Sequence, residues 1–190
     1  MGEMILVVKA AELKSQVGAQ RFKALPEEEI ERLYACVEVL AMERDLVEHD
    51  ASYMQLVAFT AIHHNYSWFT YRSPQRRRSM GIGGHIKADG EEVLFLDESL
   101  NLAALHAADE AVTVRGRCNY RLAGLLCDEP SEVSRAQLGL VYVAQLRQPG
   151  VELRDLGITE LRFCGMGELQ QERDQFDGWS QILIDNLQAM

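Results

Sequence analysis

Tyr71-Arg72-Ser73-Pro74-Gln75-Arg76-Arg77-Arg78-Ser79-Met80-Gly81-Ile82-Gly83-Gly84-His85-Ile86 carries a cluster of arginines into a glycine-rich, strand-like segment. An alanine-rich stretch follows and ends His106-Ala107-Ala108-Asp109-Glu110, which reads as a helix over 98–111. The glycines do not make a dinucleotide fingerprint, because His85-Ile86-Lys87 continues as strand where that motif needs a helix.

On either side of this stretch the hydrophobic periodicity alternates between strand and helix. Before it, Met4 to Ala10 reads as a first strand, and Pro26-Glu27-Glu28-Glu29 opens a helix whose acids face the positive end of its dipole. Ile30, Leu33, Tyr34, Val37 and Leu40 recur at helical spacing. Met54 to His63 and Trp68 to Tyr71 read as a hairpin around His64-Asn65-Tyr66-Ser67. After it, Val93 to Leu96, Val112 to Cys127, Arg135 to Leu146, Glu152 to Arg154 and Thr159 to Phe163 are strand-like. Phe176 to Leu187 closes as an amphipathic helix. The order predicts an α/β fold with a mixed β-sheet layered between helices. Residues 1–50 form an N-terminal strand-helix extension packed on a main domain over 51–190.

With 190 residues and 47% hydrophobic content, the chain can bury a core of its own. It contains no long apolar run and no secretory pattern at Met1-Gly2-Glu3-Met4-Ile5, which predicts a soluble, cytoplasmic protein without membrane attachment. Cys36, Cys118, Cys127 and Cys164 lack metal-ligand spacing and read as buried free thiols. A net charge of −10 opposes general nucleic-acid binding. The local excess at Arg72 and Arg76 to Arg78 suits a small anionic ligand instead.

Several phrases resemble one branch of the Nudix superfamily, the predicted phosphoesterases related to MutT proteins. Arg44-x-x-Val47-Glu48-x-Asp50-x-Ser52-x-x-Gln55 is similar to that branch's lead-in to its first sheet strand. Tyr71-Arg72 with Gly81 to Ile86 is similar to its glycine turn, Gln137-Leu138-Gly139-Leu140-Val141-Tyr142 to a central strand, and Trp179-Ser180 to its C-terminal helix. The resemblance implies a Nudix-like α/β/α sandwich and divalent-metal-dependent hydrolysis of a nucleoside diphosphate derivative or related phosphorylated metabolite. It also implies a Nudix box, here degenerate. With Asp109 and Glu110 on the family's paired glutamates, Asp97 falls on its isolated glutamate, while Leu105 and His106 replace its Arg-Glu pair.

On this alignment Asp97, Asp109 and Glu110 are the metal ligands, for magnesium or manganese, and His106 and Glu110 the catalytic pair. Arg72, Arg76, Arg78, Gly83, Gly84 and His85 are the substrate-binding set. Residues at i, i+3 and i+4 share a helix face, so His106, Asp109 and Glu110 could share one ion. The same triplet is also what a solvated helix face looks like. The glycine amides could cradle a phosphate, or the glycines could serve a tight strand crossing. The lost arginine removes carboxylate support, a loss worth about 10 to 100-fold in metal affinity or activity. A Nudix-fold module that binds a nucleotide without turnover is therefore the alternative function, and a possible homodimer through the N-terminal helix a further one.

Overall fold

The computed structural model describes residues 2–17, 20–72, 77–88, 100, 105–106, 112–114, 118–127, 137–154 and 157–190. The chain opens with β1 (Met4–Lys9), α1 (Ala10–Val17), β2 (Phe22–Ala24) and α2 (Glu27–Cys36). It continues through β3 (Val39–Glu43) and the short α3 (Arg44–Val47) into the hairpin of β4 (Tyr53–His64) and β5 (Ser67–Arg72). β6 (Arg78–Ser79) and β7 (Gly81–His85) carry the stretch quoted above. Then come β8 (Val112–Val114), β9 (Cys118–Leu126), β10 (Gln137–Leu146), β11 (Val151–Leu153) and β12 (Thr159–Gly165). α4 (Met166–Gln171) and α5 (Gly178–Asn186) close the described structure.

Among the described residues the main sheet has ten strands, in the order β12-β5-β4-β10-β9-β2, with β1 and β7 also paired to β4, β3 to β1, and β6 to β5. β4 and β10 are parallel and fully in register from Gln55 opposite Gln137 to His64 opposite Leu146; the other pairings are antiparallel, so the sheet is mixed. Side chains alternate across it. One face gathers Leu6, Val8, Leu56, Ala58, Leu122, Leu138 and Leu140, covered by Leu13 of α1, by Ile30 and Leu33 of α2 and by the helical Leu100. The other gathers Phe59, Ala61, Ala123, Val141 and Val143 beneath Leu169 of α4 and Ile182 and Leu183 of α5. This is the expected sheet between helical layers.

The structure also corrects local expectations. The helix from Pro26 stops at Cys36, and Val39 and Leu40 belong to β3, paired with Val8 and Val7. An apolar segment beside an open strand finds ladder partners there that outweigh its helical spacing. Residues 112–127 are two strands in different sheets, because β8 pairs β11 while β9 pairs β10. All four cysteines are free, but Cys164 alone is buried and Cys36 is exposed. β1 pairs with β4 and β2 with β9, so the first fifty residues supply strands to the main sheet. The strand expected at Val93–Leu96, and most of the helix over 98–111, lie outside the described residues. Leu100, Leu105 and His106, which are described, are helical.

Candidate functional site

β7 lies against β4 with Gly81 opposite Ala61 and His85 opposite Val57. A Cβ on Gly81 would sit 2.2 Å from the ring of Phe59, and one on Gly139 would sit 2.9 Å from Trp179. Phe59 and Trp179 meet edge-to-face, with centroids 5.4 Å apart, so both glycines make room for one aromatic pair under α5. At Gly81 the strand-crossing role therefore accounts for the residue. Gly83 is exposed and Gly84 half-buried, which leaves these two positions reachable by a ligand.

The arginine cluster divides. Arg78, expected among the phosphate-binding residues, is 1% exposed and faces inward. Its guanidinium pairs with Glu172, donates to Thr70 Oγ1 at 2.8 Å and lies 4.7 Å from the Phe176 ring centroid. A cation so enclosed is committed to internal partners, which corrects the sequence expectation. Arg77 is exposed and donates to the Asp174 carbonyl at 3.2 Å. Arg72 is half-exposed, and its Nε donates to Glu160 Oε2 at 2.9 Å. Arg76 lies outside the described residues.

α5 fixes this segment from below. Asp177 caps the helix by accepting from the Ser180 amide at 2.8 Å. Ser180 Oγ in turn accepts from the Met80 amide at 3.0 Å, and the Asp177 amide donates to the Arg78 carbonyl at 2.9 Å. The Trp179-Ser180 phrase thus holds the entry to the glycine strand in place.

His85 stands at the far end of β7, about 13 Å from Gly81 along an extended strand. Its ring nitrogen Nε2 is 3.4 Å from the Gln137 side-chain nitrogen, which donates to it in the neutral tautomer that carries its proton on Nδ1. Burial pushes the His85 pKa down and the Arg44 charge adds to this, while Glu3 and Glu48 oppose it. Arg44 and Glu48, His85, and Gln137 come from three separate phrases of the sequence, and the fold brings them together. His63 stacks on Trp68 at 4.6 Å, and His64 approaches the Leu146 carbonyl at 3.2 Å, so the two point to opposite faces, as their alternation predicts.

His106 is exposed on its helix. Leu100, in the same segment, is buried in the cluster containing Ile86 and Leu56; Val112, just after it, is buried with Ile62 and Ile82. Asp97, Asp109 and Glu110 lie outside the described residues. Among the described residues no group of three acidic, histidine or cysteine side chains could hold a metal ion. The sequence reading missed Glu160 and Glu172, the carboxylates that engage Arg72 and Arg78. Neither sits in a motif, and their roles arise from pairings 88 and 94 residues apart.

No family model and no curated protein matches the chain. Solved structures do. Tm1382, described as a candidate Nudix hydrolase, superposes with a TM-score of 0.82 at 25% identity, covering 97% of this chain and 98% of that one. A bifunctional NMN adenylyltransferase/ADP ribose pyrophosphatase from Francisella tularensis, complexed with AMP and a manganese ion, gives 0.52 at 10% identity, over 71% of this chain and 41% of that one. A C. elegans Ap4A hydrolase gives 0.50 at 13% identity, over 72% and 96%. The last two likenesses concern the fold.

Proposed function

The chain belongs to the Nudix superfamily, and from that membership we propose that it is a divalent-metal-dependent hydrolase of a nucleoside diphosphate derivative or a related phosphorylated metabolite. The near-complete mutual coverage with Tm1382 carries the reading, because the likeness spans the whole chain and not a shared sheet alone.

The residue types on the proposed helix rim suit a divalent cation. Asp97, Asp109 and Glu110 offer the oxygen that magnesium and manganese take, and His106, exposed on its helix, adds a nitrogen that favours manganese over magnesium. When bound, such an ion neutralises phosphate oxygens and activates water. The remaining work falls to the chain. Arg72 and Arg76 meet substrate phosphate by charge-assisted hydrogen bonds, and the exposed Gly83, beside the half-buried Gly84, lets a phosphate approach closely. His85, whose pKa burial pushes down, has its Nε2 beside the Gln137 amide and turns its other ring nitrogen to the ligand.

The test is release of phosphate or nucleoside monophosphate from a panel of nucleoside diphosphate derivatives, with and without added manganese or magnesium. Turnover should require the metal and fall sharply in Glu110→Gln. Full turnover by that variant removes the carboxylate from the role. Ligand-induced thermal stabilisation without turnover would favour the binding-module alternative. A cytoplasmic location and a homodimer complete the proposal, the latter read by size-exclusion with light scattering.

A further inference from the structure

β12 contains an irregularity that the hydrolase reading leaves unexplained. Thr159 pairs with Arg72 and Arg162 with Thr70, so three steps on β12 oppose two on β5 and one residue is extra. Within this bulge Glu160 has φ of +52°, the left-handed region. Glycine usually fills such a position, since any Cβ is strained there. Here the residue is a glutamate, and its carboxylate accepts from Arg72 Nε at 2.9 Å. Thr159 Oγ1 donates to the Arg72 carbonyl at 3.0 Å, tying the bulge to the same residue. Both side chains are substantially exposed, 38% for Arg72 and 58% for Glu160, so an incoming anion can reach the pair.

We propose that Glu160 is a built-in competitor for the anion site at Arg72, its carboxylate standing in the ligand-free protein where a phosphate or pyrophosphate oxygen binds. The inference rests on the reading of Arg72 as a phosphate contact and deepens it. Strained backbone persists only where its surroundings hold it, and such strain gathers at sites that switch. A ligand phosphate takes the guanidinium, Glu160 swings out, and the bulge relaxes toward extended backbone. No bond is made or broken. The consequence is selectivity by charge: a dianionic phosphate displaces the carboxylate, whereas a singly charged or neutral metabolite does not.

The experiment is calorimetric titration of inorganic pyrophosphate into the full chain, compared across wild type, Glu160→Gln, Arg72→Gln and the double variant. Removing an exposed competing charge should tighten binding by roughly two- to fivefold in Glu160→Gln. That gain should vanish in the Arg72→Gln background. Unchanged or weaker binding in Glu160→Gln overturns the proposal, as does a gain that persists without Arg72. A second readout needs no affinity difference: the backbone chemical shifts of Glu160 should leave left-handed values at saturating pyrophosphate, and shifts fixed throughout the titration also overturn it. If pyrophosphate binds wild type and Arg72→Gln alike, this inference fails, while the Glu110→Gln test still decides the hydrolase reading separately.

Discussion

Glu172→Gln isolates the energetic role of the buried Arg78. The wild-type cation is 1% exposed, and Glu172 is the carboxylate that answers it. Removing one member of a buried ion pair costs about 3–5 kcal/mol, because the other charge is left unpaired away from water. Two features pull the value down. The new amide can still accept a hydrogen bond, and Glu172, with its side chain 30% exposed, also serves Arg162 and so is not a fully desolvated partner. A cost of about 2–3 kcal/mol is therefore expected, or a fall in Tm of roughly 4–12 °C for a chain of this size. Arg78→Met should cost less, since Glu172 keeps Arg162 and an apolar side chain can fill the space beside Phe176. The double variant should be more stable than Glu172→Gln by about 1 kcal/mol or more, because it removes the stranded charge. Urea unfolding at neutral pH, followed by the fluorescence of Trp68 and Trp179, reads all four proteins. A Glu172→Gln cost below about 0.5 kcal/mol, or a double variant equal to the sum of the singles, would refute the reasoning.

Further outcomes follow from the same packing. Gly81→Ala should cost about 1–3 kcal/mol by driving a methyl into the Phe59 ring, and Phe59→Leu should recover part of it; thermal melts of the two singles and the pair check this. His63 and His85 have pKa values lowered in the folded chain, each chiefly by burial. The unfolded chain therefore takes up protons first as pH falls below about 6.5. Stability should be fully present above that pH and decline through the lower folded values, and the slope of urea-derived stability against pH between about 7.5 and 5 should flatten in His63→Gln and His85→Gln. An unchanged slope in both would count against buried neutral imidazoles.

Legibility varied with the range of the forces involved. The hairpin of β4 and β5 and the closing helix were readable because alternation and apolar stripes are local signals; Ile182 and Leu183 do face the sheet. β3 was not, because Val39 and Leu40 become strand only through β1, more than thirty residues away. In the site, Arg44, His85 and Gln137 lie in three separate phrases, and nothing in the sequence says they share one neighbourhood. The inward turn of Arg78 was hidden for a similar reason. A run of three arginines reads as hydrated until Glu172 and Phe176 arrive from the other end of the chain to enclose one of them.

That enclosure also bears on biosynthesis. Ribosomes add Glu172, Phe176 and Ser180 roughly a hundred codons after Arg78, so a nascent polypeptide lacking them holds a guanidinium that has no counter-charge and a glycine strand with no brace. Burial of that residue must wait until this later segment has been synthesised. Termination between Gly165 and Glu172 should consequently yield a product that chaperones and proteases recognise, even though every strand among the described residues has already been made.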